Sequence, residues 1–162
     1  MDRVKQGKKN RASGAAFELR VRKELESEGW IVDKWSNNIE SYIPDKNFVS
    51  IEDDLSYKRL CPAKRKYAGP GRPMAIGTGF PDFLVFRENF GVTISQDGFY
   101  INSYEVIGVE VKTNGKLDKT EKEKCKWLLD NNIFSKILIA KKTKVKNQIV
   151  IVYEDFKEKY GK

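Results

Sequence analysis

The first stretch with a clear apolar periodicity covers residues 13–28. Its apolar residues recur at the spacing of one helical face: Ala16, Phe17, Val21 and Leu25. Ser13 is suited to cap the N-terminus of this helix, and Gly29 is suited to end it. Glu18 lies one turn from Val21, so it falls at the edge of the predicted buried face. The short apolar run 30–32 then predicts a strand.

Residues 33–80 show no sustained apolar periodicity, and prolines and glycines cluster in the second half of this segment. We interpret it as an excursion from the main domain. Its basic residues between positions 58 and 72 occur without a single acidic residue: Lys58, Arg59, Lys64, Arg65, Lys66 and Arg72. With Tyr67 among them, this segment predicts a DNA-binding loop that contacts phosphates and stacks on a base. A merely solvated charged loop is the alternative.

Strand patterns return after Pro81. The continuous apolar run 83–86 predicts a buried strand, followed by a turn near residues 88–91. Two further short strands, 92–95 and 99–101, flank Asp97-Gly98, a dipeptide suited to a tight hairpin turn.

Residues 107–111 predict another strand, whose phase separates apolar from charged side chains. Val109 and Val111 face one side, and Glu110 faces the other together with Lys112. Charges on the second face of a central strand are costly to bury unless they serve a function. The alternative is an exposed cross-strand ion pair.

The last third of the chain predicts alternating elements. A helix capped by Asp118 or Thr120 runs to Asp130, strands follow at 137–140 and 149–152, and residues 155–160 form a final helical turn or two. The order of helices and strands predicts one α/β domain over residues 1–162, with helices flanking a central mixed β-sheet.

Composition narrows the chemistry. The chain has 31 Lys and Arg residues against 23 Asp and Glu, a net charge of +8, which favours an anionic partner such as nucleic acid. It has no histidine and only two cysteines. This excludes Cys/His zinc sites, Ser-His-Asp triads and Cys-His nucleophiles. Because no apolar run reaches bilayer length and no signal peptide is evident, we expect a cytoplasmic protein without a membrane partner.

Asp82 precedes one predicted strand, and Glu110 and Lys112 share a face of another. If the two strands are neighbours, two carboxylates converge with an ammonium beside them. Mg²⁺ prefers such oxygen ligands, and the carbonyl of Val111 is a candidate third donor. A bound Mg²⁺ activates water and polarises a phosphate, while Lys112 orients the water, helps to deprotonate it or offsets developing charge.

The sequence Pro81-Asp82, followed by Glu110-Val111-Lys112, resembles the motif of the PD-(D/E)XK nuclease superfamily, in particular archaeal Holliday junction resolvases and virus-type replication-repair nucleases. The resemblance covers most of the chain in order. It implies a restriction-endonuclease-like core, and it implies that Glu18 is an additional acid of the site. The chain departs from many relatives in the helix after the motif, where it offers Glu121 and its charged neighbours instead of a glutamine.

The resemblance implies a Mg²⁺-dependent DNA endonuclease, with Mn²⁺ able to substitute, that acts on branched or structured DNA as a homodimer. Two alternatives remain open: a sequence-specific restriction-like nuclease that reads bases through residues 33–80, and a DNA-binding module of the same fold without cleavage.

Overall fold

The first helix, α1, spans Arg3–Ser27 in a computed structural model that describes residues 3–42, 57–64, 69–70, 79–94 and 100–161. The prediction that Ser13 caps this helix is wrong, because α1 begins ten residues earlier, in a polar segment whose good helix formers carry no apolar period. The prediction for Gly29 is confirmed: its φ is 85°. The N–H of Gly29 donates to the Glu26 carbonyl, and that of Trp30 donates to the Leu25 carbonyl, which is the Schellman pattern.

The remaining elements follow in chain order: β1 (Ile31–Lys34), β2 (Asn37–Tyr42), β3 (Tyr57–Pro62), β4 (Phe83–Ile94), β5 (Tyr100–Val111), α2 (Lys119–Asp130), β6 (Lys136–Val145), β7 (Gln148–Asp155) and α3 (Phe156–Tyr160). Five strands form one sheet in the order β1-β4-β5-β6-β7. The β5–β6 pair is parallel and the other pairs are antiparallel. The predicted α/β fold with a central mixed sheet and flanking helices is confirmed, whereas its likeness to a restriction-endonuclease core stays a prediction.

The chain divides into two units, one formed by Met1–Lys34 with Pro81–Lys162 and the other by Trp35–Phe80. The second unit contains β2 and β3, which pair antiparallel from Asn37 opposite Pro62 to Tyr42 opposite Tyr57. We did not predict these strands, because their residues are polar and β3 is largely exposed. That the whole chain behaves as one domain stays a prediction.

The core of the first unit lies between α1 and the sheet. Three residues of the predicted helical face, Phe17, Val21 and Leu25, are at most 2% exposed and pack with strand residues that include Val85 and Val109. The prediction for the fourth, Ala16, is wrong, because its side chain is exposed. Burial of each such side chain contributes roughly 1.5–3 kcal/mol. The predicted phase of β5 is therefore confirmed on this side, and it directs Glu110 to the opposite face of the sheet.

Other expectations meet mixed outcomes. The predicted turn at residues 88–91 is wrong, because β4 continues to Ile94 with a shift of register against β5 between Asn89 and Thr93. The predicted hairpin pairing of β4 with β5 is present, and its turn lies outside the described residues. Asp118 is confirmed as the cap of α2, and α3 follows the cap residue Asp155.

Among the described residues, no helix is long and apolar enough to cross a membrane.

Candidate active site

The pairing of β4 with β5 brings Asp82 to Glu110. Phe83 lies opposite Val109 in this pair, so the residue before β4 faces the end of β5. The backbone N–H of Asp82 donates to Oε2 of Glu110 at 3.2 Å. The N–H of Val111 donates to Oδ2 of Asp82 at 3.0 Å. Each carboxylate thus accepts a hydrogen bond from the backbone of the other strand segment, which fixes both at the same place.

Desolvation makes these two carboxyl groups weaker acids than ordinary Asp and Glu side chains. Glu110 is only 4% exposed. Burial and then the charge of Asp82 raise the pKa of Glu110 to about 8, although Lys112 opposes this shift. Burial also raises the pKa of Asp82, and the hydrogen bond from Val111 opposes it. The buried carboxylate of Glu110 and the half-buried one of Asp82 repel each other when ionised, so a cation between them would favour their charged forms.

Lys112 lies immediately after β5, beside this pair. Its backbone N–H donates to the carbonyl of Ala140 at 2.9 Å, which anchors the residue to β6. Its Nζ lies 3.1 Å from Oε1 of Glu110 and also donates to Oε1 of Glu121. Burial lowers the pKa of Lys112, but the hydrogen bond to Glu121 and the charge of Glu110 outweigh it, and the net effect is a raised pKa. These contacts therefore favour the ammonium form of Lys112, which donates hydrogen bonds.

The contact between Glu121 and Lys112 was not predicted from the sequence. It is the third residue of α2, and its Oε2 accepts from the N–H of Asp118 at 3.0 Å. The Asp118 carboxylate accepts in return from the N–H of Glu121, which completes a capping box. The spacing Asp118-x-x-Glu121 was a visible signal for this cap. The capping box fixes the Glu121 carboxylate where Lys112 reaches it.

Glu18 lies near the pair without joining its hydrogen bonds. Its Oε2 is 2.7 Å from Nζ of Lys34, at the end of β1. Its charge contributes to the raised pKa of Asp82, and the charge of Lys34 opposes that effect. The structure therefore places Glu18 within electrostatic range of Asp82, at the margin of the site.

The donor set fits Mg²⁺. Asp82 and Glu110 provide hard oxygen atoms, and this ion commonly takes one or two carboxylates and retains several waters. Among the described residues, no group of three or more His, Cys, Asp or Glu side chains is arranged to hold a metal. Any ion here would therefore rely on the carboxylate pair together with backbone, water or substrate oxygens. The Val111 peptide contacts Asp82, and the role of its carbonyl as a ligand stays a prediction.

The residues predicted to bind DNA lie in the second unit. Lys58 and Arg59 belong to strand β3 rather than to a loop. Lys64 forms an ion pair with Glu40 at 3.0 Å. Arg65, Lys66 and Arg72 lie outside the described residues. The role of these basic residues in DNA binding stays a prediction.

In comparisons with known proteins, no family model, no curated protein and no solved structure matched the chain. The function is therefore argued from the geometry around Asp82 and Glu110.

Proposed function

We propose that the chain is a Mg²⁺-dependent endodeoxyribonuclease whose active site contains Asp82, Glu110 and Lys112. The observation that carries the proposal is the pairing of the buried Glu110 carboxylate with the half-buried Asp82 carboxylate, with the ammonium of Lys112 next to them. Each carboxylate accepts a hydrogen bond from a backbone N–H of the other's strand segment. A purely structural role explains this arrangement poorly, because it places the buried carboxyl group of Glu110 against the half-buried one of Asp82, where their negative charges repel each other.

Each residue has a distinct task in the proposed reaction. Asp82 and Glu110 would hold Mg²⁺, which when bound polarises the scissile phosphate and lowers the pKa of a water molecule. Lys112 would donate hydrogen bonds to the attacking water or to the phosphate oxygens as negative charge develops on them. Its raised pKa favours this donor role over that of a general base. Glu121 would keep the ammonium group in place.

The preferred substrate and the assembly state rest on the resemblance to resolvases. We propose branched or structured DNA as the substrate and a homodimer as the active form, with Mn²⁺ able to replace Mg²⁺. Glu18 would add negative charge near Asp82 and so strengthen cation binding.

Cleavage assays test the proposal. The substrates are linear duplex, single-stranded, flap and four-way junction DNA, each incubated with Mg²⁺, with Mn²⁺ or with chelator. Cleavage should require the metal and should be lost in Asp82→Asn and Glu110→Gln. Glu105→Gln is the matched control, since Glu105 lies on the same strand as Glu110 but pairs with Arg87 in an exposed ion pair.

Cleavage by both site variants at the parental rate would show that the site is misassigned. If no substrate is cut although DNA binds in a salt-dependent way, the chain is a binding module and the proposed activity is wrong.

A further inference from the structure

The N-terminal half of α1 carries a basic surface that the proposed active site does not use. Between Arg3 and Phe17 the chain has five basic residues and no acidic one. Four of them are exposed and are called the α1 basic face below: Lys5, Lys8, Lys9 and Arg11. Within the part of the chain that the structure describes, none of these four forms an ion pair.

The four residues share one side of the helix. At roughly 100° per residue, they fall within an arc of about 160°. The buried stripe of Phe17, Val21 and Leu25 is centred on the opposite side. The α1 basic face is therefore turned away from the core.

Among the described residues, no other segment covers this part of α1. Residues 5–13 are all exposed. Apart from the adjacent backbone of the helix itself, a Cβ atom added at Gly7 or at Gly14 would meet no described atom within 4 Å. Lys5 and Lys9 are like charges four residues apart, which destabilises a helix in water by a few tenths of a kcal/mol. Neutralisation of these charges by an anionic partner would remove that penalty.

We infer that the α1 basic face binds the phosphate backbone of nucleic acid. The inference rests on the proposed function for the class of ligand, and charge complementarity supports it. A membrane-binding helix needs large apolar side chains on one side, and residues 5–16 have none. A protein partner would require buried aromatic or aliphatic anchors, which this segment also lacks.

The position of the α1 basic face along the helix suits a substrate that extends into the active site. Arg11 lies seven residues, or two turns, before Glu18, which corresponds to about 10 Å along the axis. Glu18 in turn acts electrostatically on Asp82. A nucleic acid cleaved near Asp82 could thus continue along α1, with its phosphates against the lysines.

Salt-dependent binding tests the inference in the full-length chain. The test variant is Lys5→Gln/Lys8→Gln/Lys9→Gln, made in an Asp82→Asn background and assayed in chelator with a 30-base-pair duplex and a four-way junction. The control variant, Lys23→Gln/Lys126→Gln/Lys157→Gln, removes three exposed lysines elsewhere and reaches the same net charge. Far-UV circular dichroism checks that both variants keep their helix content.

The test variant should bind at least about tenfold more weakly at 0.1 M salt. The slope of log affinity against log salt concentration should become less steep by up to about 2.7, which is about 0.9 for each phosphate that the three lysines no longer neutralise. The control should change less than about threefold, and Lys→Arg at the three α1 positions should restore binding. Equal losses of DNA affinity in the test and control variants would overturn the inference. It would also be overturned if the test variant kept its DNA affinity but lost binding to phosphatidylserine vesicles.

These outcomes separate the two proposals. If the parent chain cleaves DNA and the test variant binds DNA with unchanged affinity, the proposed role of the α1 basic face is refuted and the nuclease proposal stands. Lysine-dependent binding without cleavage of any substrate by the parent chain would support the α1 basic face and refute the nuclease.

Discussion

Lys112 and Glu121 are nine residues apart in sequence, and their side chains form a hydrogen-bonded ion pair beside the buried carboxylate of Glu110. The same Glu121 side chain caps α2 through its other oxygen. The end of strand β5 and the start of α2 are thereby linked at the proposed active site. A movement of α2 would shift the ammonium group that neighbours Glu110.

Glu121→Gln should lower kcat by about 10- to 100-fold, the usual effect of removing a partner that orients a site residue. Glutamine can still complete the capping box, so the helix should remain stable. Asp118→Ala is the complementary control: it removes the cap at about 1 kcal/mol but leaves the Lys112–Glu121 ion pair. Steady-state cleavage kinetics and thermal melts of both variants separate the two roles. Loss of activity only in Asp118→Ala would show that the cap matters and the ion pair does not.

Mg²⁺ should stabilise the folded chain. At 10 to 100 times its dissociation constant, one bound ion adds about 1.4–2.7 kcal/mol, which corresponds to a rise in Tm of about 3–10 °C for a chain of this size. The rise should vanish in Asp82→Asn and persist in Glu105→Gln. Calorimetric or fluorescence melts with Mg²⁺ and with chelator measure it. An equal rise in the parent and in Asp82→Asn would place the ion elsewhere.

The metal-free chain should lose stability as the pH rises. The pKa of Glu110 is about 8 in the folded state against an ordinary 4.5. Between these two values the folded state binds more protons than the unfolded state, so the free energy of unfolding falls with increasing pH. The loss is complete once the pH passes about 8.

Denaturant titrations in chelator from pH 5 to pH 8 test this dependence. Glu110→Gln should flatten it, because the glutamine does not titrate. The difference in the free energy of unfolding between parent and variant at each pH isolates the titration of Glu110 from that of the other carboxyl groups. A constant difference across this range would contradict the expected burial of an ionisable Glu110.

Gly108→Ala should disturb the site through packing. A Cβ atom at this position of β5 would lie 2.8 Å from Cγ of Pro81, the residue before Asp82, and 3.3 Å from a ring carbon of Phe134. We expect a loss of about 1–3 kcal/mol in the free energy of unfolding, together with reduced cleavage. Gly14→Ala is the contrasting control, since it has open space in α1 and should stabilise the helix by about 0.5–1 kcal/mol. Chemical denaturation measures both changes.

The sequence by itself determined the features that depend on local spacing. The buried face of α1 at Phe17, Val21 and Leu25 follows from helical periodicity, and the opposite phases of Val109 and Glu110 follow from strand alternation. The cap at Asp118 and the end of α1 at Gly29 follow from the local chemistry of helix termini. These features involve residues close in sequence, which is why one-dimensional patterns contain them.

Local spacing was insufficient where apolar periodicity was weak or absent. The first ten residues of α1 and the mostly polar strands β2 and β3 show no sustained apolar periodicity in the sequence, so these elements were not predicted. The predicted turn at residues 88–91 failed because pairing with β5 carries β4 through that segment.

Only the tertiary structure decided the electrostatics of the candidate site. Asp82 and Glu110 are 28 residues apart, and their contact depends on the register between β4 and β5. The raised pKa of Glu110 depends on burial within the assembled fold, and the partnership of Lys112 with Glu121 depends on where α2 begins in space. Residue types and their local spacing suggest which side chains suit the proposed chemistry, but desolvation and distances between charges exist only once distant segments have packed together.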